Sequence, residues 1–420
     1  MPLSPEQLDK LKQLSRVFDP LYRPGLQGDG AGPSYVEDAH HDFRQHLAAS
    51  LLVNDSAKLL VAGQPGCGKT TLLTRVAESL EAAHRIVAFV DLEVRTAVQD
   101  LGSVEMHLAA TAELLAAADK VHATLSPETL ASIQGWLASM GSATAAVARE
   151  LAEAIRHLLA TGREDPGLRS ELRSVIRQGA DRDPHELLTR VLRDLAALRP
   201  VVILDGLDKL PPDQAREFFL DEKRKPMADA PGAAILTIPL SIVYEPAFNV
   251  LSERYNNADN PVLPAVRLYE FHDGTRARYP AGFKILRQIV EARVAPIASG
   301  LVADDAIDRA IEASGGNIRE LARVVQASVV KAVVRSGDEI ERQDVEAAIA
   351  DQRESFRRAF QPRFLAVLQR VRDKHKLDNA DDVGKLLLYG LWVIEYRNEE
   401  AWYSLPVAVE DLVRRLEKIK

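Results

Sequence analysis

The sequence predicts an α/β protein in which a parallel sheet of short buried strands is interrupted by a helical insertion. An all-helical segment and a small helix-and-hairpin module follow. Three observations carry this. The apolar run Leu59 to Ala62 enters a glycine-rich octet, GQPGCGKT at 63–70, and an amphipathic helical pattern leaves it. A second apolar run, 201–204, ends in Asp205, and such a continuous run marks a strand buried on both faces. From residue 281 onward the apolar spacing is helical, until turn signals near the end mark a hairpin.

The octet has the composition of a phosphate-binding loop. Gly63, Gly66 and Gly68 let the backbone turn without Cβ clashes, so that successive N–H groups face phosphate oxygens at the positive end of the next helix. Gln64, Pro65 and Cys67 fill the variable positions. Lys69 brings a mobile ammonium to the β- and γ-phosphates, the Thr70 hydroxyl offers one Mg²⁺ coordination position, and Thr71 continues the first turn. The metal expectation is therefore Thr70 with Asp205. Asp205 ends its strand where ligands bind in open α/β sheets. Asp208, three residues on, is the nearest acid able to orient or activate an attacking water.

Composition sets bounds on function. With 420 residues, 46% hydrophobic and 27% charged, the chain can form two or three domains with their own cores. Its net charge of −8 supplies no whole-molecule field toward nucleic acid or acidic membranes. The opening MPLSPEQLDKLKQL lacks a basic region followed by an apolar one, and the longest apolar stretches, such as 386–394, are too short to span a bilayer. The expected location is cytoplasmic, with no membrane partner. The single cysteine, Cys67, excludes an internal disulfide. Its thiol is either an alkylation-sensitive group near a helix N-terminus or a small tolerated side chain.

In chain order, residues 3–18 read as a helix and 19–33 as a Gly/Pro-rich connector. Residues 35–52 are helical again, with Tyr22 or Tyr35 as candidates for adenine contact or surface packing. A second strand is expected at 85–90. Residues 103–198 form the insertion, with helix breaks near 126–127, 141–142, 165–167 and 183–184. A strand at 233–238 follows, in which Thr237, or Ser241 just beyond, would place a hydroxyl near the γ-phosphate if that strand lies between the other two. A fifth strand is expected at 265–271, and Arg254 before it reads as a solvated arginine or as one reaching a neighbouring subunit's nucleotide. Helices are expected at 283–294, 304–313, 317–334 and 343–350. Arg319 lies in the first turn of the third, where a cation opposes the helix dipole unless an anion compensates. Residues 353–376 carry eight Lys/Arg against two acids, interleaved with Phe356, Phe360 and Phe364. A helix at 381–390 and a hairpin over 391–397 and 401–405 close the chain.

Taken together, GQPGCGKT and VVILDGLD resemble the Walker A and Walker B segments of P-loop NTPases. SGGNIREL resembles the sensor-2 helix of AAA+ ATPases, and RQDVEAAI the last helix of their lid. The likeness covers about residues 38–352. It implies a P-loop NTPase core at 38–280 with its helical insertion at about 103–198, after an N-terminal helix and linker at 1–37. An α-helical lid at 281–352 and a basic helix with a small winged-helix-like module at 353–420 complete the expected division. It also implies ATP and Mg²⁺ as ligands, Thr237 as sensor 1, Arg254 as an arginine finger and Arg319 as the sensor-2 arginine. One departure is plain. AAA+ motors usually carry a glutamate directly after the Walker B aspartate, whereas this chain has Gly206 and its next acid at Asp208. That arrangement looks more like STAND-type signalling NTPases or KAP ATPases, in which nucleotide state works as a switch.

The expected function is thus a slow ATPase acting as a nucleotide-dependent switch or assembly factor, working as a homo-oligomer or with a partner protein. The alternatives are a nucleic-acid-directed ATPase (initiator, loader or transposition regulator) using the C-terminal basic region, and the ATPase subunit of a bacterial anti-phage defence complex.

Overall fold

A computed structural model describes residues 3–20, 36–142, 147–174, 183–220, 227–255, 261–272, 275–377, 382–398 and 400–418. Tyr22 and Tyr35 lie outside the described residues. The chain divides into two units. One comprises Asp42–Ala62 and Leu72–Val262, the other Met1–His41, Gly63–Thr71 and Leu263–Lys420.

The first unit is built on five strands: β1 (Lys58–Gly63), β2 (Val87–Asp91), β3 (Val201–Asp205), β4 (Ala233–Thr237) and β5 (Val262–Leu263), in the order β2-β3-β4-β1-β5. The pairs β2/β3, β3/β4 and β4/β1 are parallel, with Asp91 opposite Asp205 and Val61 opposite Thr237. β4 therefore lies between β1 and β3, as the reading of Thr237 requires. Every residue of β1, β3 and β4 is buried, which follows from covering a parallel sheet on both faces.

The insertion forms helices at the positions its breaks predict. Ser103–Lys120 is buried on most of its circumference and packs on Ala148–Glu164, on Pro184–Asp194 and on β2. Those two partner helices are amphipathic, each with one apolar stripe. Pro127–Ser139 is capped by Ser126, whose N–H and hydroxyl both donate to Asp194 at 2.8 Å.

The fifth strand corrects the sequence reading. The strand that joins the sheet is Val262–Leu263, set between Pro261, whose carbonyl accepts from Ala62 N, and Pro264, neither of which has an N–H to donate. Residues 269–272 instead form β6 (Tyr269–His272), antiparallel to β7 (Thr275–Arg278). An Asp273-Gly274 pair between them is the hairpin signal that the apolar-run reading passed over.

In the second unit, helices Pro280–Val294, Asp304–Ser314, Ile318–Arg335 and Arg342–Ala359 share a core with the N-terminal helix Pro5–Val17. Leu11, Leu14, Leu286, Ile307, Leu321 and Ile340 lie at its centre. The helix starting at Arg342 continues to Ala359, into the basic stretch. The winged-helix-like module follows: helices Leu365–Lys374 and Asp382–Tyr389, the hairpin β8 (Ile394–Arg397) with β9 (Ala401–Ser404), and helix Val407–Glu417. The aromatics of the basic stretch are internal packing groups. Phe356 and Phe364 pack edge-on against Trp392, and Phe360 against Phe364. No helix among the described residues is long and apolar enough to cross a membrane.

Candidate nucleotide site

The loop 63–70 follows β1 and opens the helix Lys69–Ala82. Gly66 takes φ 86° and Gly68 φ 106°, conformations that side chains with a Cβ rarely adopt. Space enforces the choice at Gly66, where an added Cβ would lie 2.4 Å from Arg319 Cβ and 2.7 Å from Asn317 Oδ1. Lys69 is buried, its ammonium donating to the carbonyls of Gly63 at 2.8 Å and Gln64 at 3.1 Å. Cys67 is 1% exposed, with its Sγ 3.9 Å from the Lys69 ammonium. Such burial favours the small-side-chain alternative over an alkylation-sensitive thiol. Gln64 is 3% exposed, and its amide points toward residues 388–395. Pro65, Thr70 and Thr71 are half-buried.

The loop is held by the helix that carries Arg319. Gly315, at φ 58°, ends the preceding helix, and Asn317 caps the next by accepting from Glu320 N at 3.1 Å. The same side chain donates through Nδ2 to the Pro65 carbonyl at 2.8 Å, and the Arg319 N–H donates to the Gly66 carbonyl at 3.1 Å. A helix N-terminus thus rests on two consecutive loop carbonyls, an arrangement its positive end favours.

Sequence reasoning missed His40, Asn317 as a loop contact, and the orientation of Gln64. His40 lies in the 3₁₀ turn Glu37–His40, and its Nε2 is 2.8 Å from the Cys67 carbonyl. Desolvation pushes its pKa down to about 4, against the opposing pull of that carbonyl. At neutral pH it is therefore an uncharged imidazole with Nε2–H as donor.

The acids and Thr237 lie in the sheet unit. Asp205 is 3% exposed, and its Oδ1 accepts from the Gly206 N–H at 3.0 Å. Thr237, fully buried, accepts from the N–H groups of Gly206 at 3.0 Å and Leu207 at 3.1 Å and donates its own hydroxyl proton to Leu204 O at 3.3 Å. The hydroxyl fixes the start of the turn that carries Asp208. Gly206 takes φ 101° and ψ −9°, so a glutamate placed directly after Asp205 would be forced into left-handed backbone. Asp208 sits half-buried on the 3₁₀ turn Leu207–Lys209, and Lys209 pairs with Glu93. Arg254 is 41% exposed and pairs with Asp229 at 3.1 Å; it is a solvent-facing arginine within its own chain.

The residues fit the groups expected of them. A tight glycine cradle at a helix N-terminus with a buried ammonium suits a polyphosphate. The Thr70 hydroxyl and the Asp205 carboxylate are hard oxygen donors of the kind Mg²⁺ takes.

Residues 54–228 match the family model of an AAA domain. Over those residues the chain is similar to an AAA domain. The matched stretch spans the loop 63–70, the helices of 103–198 and the Asp205 turn. Among solved structures, the chain is similar to Cdc6p from Pyrobaculum aerophilum, with 13% identity and a TM-score of 0.44 over 96% of this chain and 98% of that one. It is also similar to the ORC1 protein of Aeropyrum pernix in complex with DNA, with 13% identity and a TM-score of 0.40 over 97% and 98%. The Aeropyrum pernix ORC2 protein in ADPNP-ADP complexes matches at 14% identity and a TM-score of 0.41 over 95% and 97%. No curated protein sequence matches.

Proposed function

We propose that the chain binds ATP at the loop 63–70 and hydrolyses it slowly, as a nucleotide-dependent switch. The observation that carries this is the seat of the Asn317–Arg319 turn on the Pro65 and Gly66 carbonyls. An arginine at a helix N-terminus is locally unfavourable, and at this place the loop's ligand supplies the compensating anion. Lys69 and the loop N–H groups hold the β- and γ-phosphates, with Arg319 reporting the γ-phosphate to the helix it begins. Thr70 and Asp205 are the residues that would hold Mg²⁺, whose positive charge would offset that of the phosphates. Asp208 orients the attacking water, and Thr237 positions Asp208 through the turn. A single side chain limits the switch. A charge-assisted contact is worth about 1.5–3 kcal/mol, whereas moving a population from 1:99 to 99:1 takes about 5.5 kcal/mol. Arg319 therefore acts with other contacts or with a partner.

Arg254 is assigned the role of completing a neighbouring copy's site after leaving Asp229. Turnover per molecule over a wide range of protein concentration tests this. Specific activity that climbs with concentration, and ceases to climb in Arg254→Ala, is the expected result. A flat, low activity in both proteins would make the chain a self-contained switch.

The basic stretch 353–376 raises a nucleic-acid-directed role. Several of its cations are ion-paired: Arg353 with Asp411, Arg357 and Arg358 with Glu354, and Arg372 with Asp373 and Glu417. Nucleic acid is therefore left out of the turnover scheme. Salt-sensitive DNA or RNA binding that stimulates hydrolysis would restore it.

A further inference from the structure

Gln64 is a variable position of the phosphate loop, yet its side chain makes three buried hydrogen bonds to the C-terminal module. Nε2 donates to Leu388 O at 3.0 Å and to Val393 O at 2.7 Å, and Oε1 accepts from Glu395 N at 3.0 Å. Both amide hydrogens and the amide oxygen are thereby used, and only one orientation of the amide satisfies all three partners. Leu388 lies in the last turn of the helix Asp382–Tyr389, whose final carbonyls have no partner within the helix. Leu391, held at φ 57° between that helix and β8, bends the chain.

The same strand engages the turn that leads into Arg319. Tyr396 OH donates to Gly315 O at 2.6 Å, while Ala265 N donates to Glu395 O and Val266 N to Gly316 O. One short hairpin therefore touches the phosphate loop directly and the Arg319 helix through its entry turn. On the other side of Gln64, its backbone carbonyl accepts from the Lys69 ammonium, a contact in competition with phosphate for the same donor.

We propose that Gln64 is a positioning residue which makes nucleotide occupancy of the loop and docking of the C-terminal module a single linked equilibrium. The inference rests on the reading of 63–70 as the ATP site. Docking orders the loop, so it raises nucleotide affinity. By reciprocity, nucleotide tightens docking by the same factor. A bound nucleotide is then reported in the hairpin 394–404, and a partner that lifts the hairpin loosens the nucleotide.

The test uses the full chain. Hydrogen exchange of the 391–397 segment is followed with and without ATP, alongside ATP affinity, in wild type and Gln64→Ala. Should Gln64→Ala fail to fold, Gln64→Met keeps the volume, and Gln64→Glu keeps the acceptor for Glu395 while losing both donors. In wild type, ATP is expected to slow exchange at 391–397. In the variants, exchange there is fast whether or not ATP is present, and ATP binds about tenfold more weakly, within the roughly 5–150-fold span usual for such coupling. A merely structural Gln64 would speed exchange but leave affinity within about twofold and the ATP effect on exchange intact, which overturns the proposal. ATP binding lost in Lys69→Ala but unmoved in Gln64→Met rejects this inference alone. Wild-type protein that binds no ATP rejects the nucleotide-site reading as well.

Discussion

The Arg319 backbone N–H donates to the Gly66 carbonyl at 3.1 Å, and the two residues are so close that a Cβ on Gly66 would fall 2.4 Å from the Cβ of Arg319. Neither backbone can yield without disturbing the loop or the first turn of the helix. Gly66→Ala is therefore expected to lower stability by about 1–3 kcal/mol, the usual cost of overpacking, and to weaken ATP binding. Urea denaturation and ATP titration check the two effects. An unchanged midpoint would mean that the loop and helix separate at little cost.

Arg319→Ala leaves that backbone hydrogen bond in place and removes a cation from a helix N-terminus. Its stability is expected to stay level or rise by about 0.3–1 kcal/mol at low ionic strength. Its preference for ATP over ADP is expected to fall by about 10–150-fold, the equivalent of one lost charge-assisted contact of about 1.5–3 kcal/mol. Competitive binding of the two nucleotides measures this, and an unaltered ratio would remove Arg319 from γ-phosphate recognition.

Asp208 and Thr237 are expected to fail together in turnover and apart in stability. Asp208→Asn should bind ATP like the parent and turn it over about 10²–10⁴-fold more slowly, the contribution typical of a positioned general base. Thr237→Val keeps the shape but removes the acceptor for the Gly206 and Leu207 N–H groups. It should cost about 1–3 kcal/mol in stability and slow turnover by displacing Asp208. Parental turnover in Asp208→Asn would strip Asp208 of its role.

His40 makes stability depend on acid. The unfolded chain takes up this proton near pH 6.5 and the folded chain only near about 4. The neutral ring's contribution is complete above pH 6.5 and is lost as the pH falls through that window. Over it, wild type should lose about 1.4 kcal/mol per pH unit relative to His40→Gln, which cannot titrate. Parallel stability curves for the two proteins would contradict this.

What the sequence made legible was whatever depends on neighbours in the chain. The loop 63–70, the insertion helices between their Pro and Gly breaks, and the hairpin around 398–400 follow from local spacing and turn chemistry. The edge of the sheet did not, because Pro264 ended the pairing that an apolar run alone suggests. The contacts that hold the loop were also hidden. Asn317 and Pro65 are 252 residues apart, and Gln64 and Glu395 331, distances at which spacing carries no signal. One clue was present at Asn317. As an N-cap it uses only its oxygen, which leaves an amide that must find an acceptor when buried. Gly206 held another, since a glycine beside a strand-ending acid announces left-handed backbone, but its partner Thr237 is visible only in the folded sheet.

The central claim is that the loop 63–70 binds ATP, and equilibrium titration of ATP into wild type and Lys69→Ala tests it most directly. Lys69 is buried on neutral carbonyls in the structure, so its removal deprives the site of its main fixed positive charge. The account predicts saturable binding to wild type and an affinity lower by at least about 10–100-fold in Lys69→Ala. Equal affinity in the two proteins, or no binding to wild type, would contradict it.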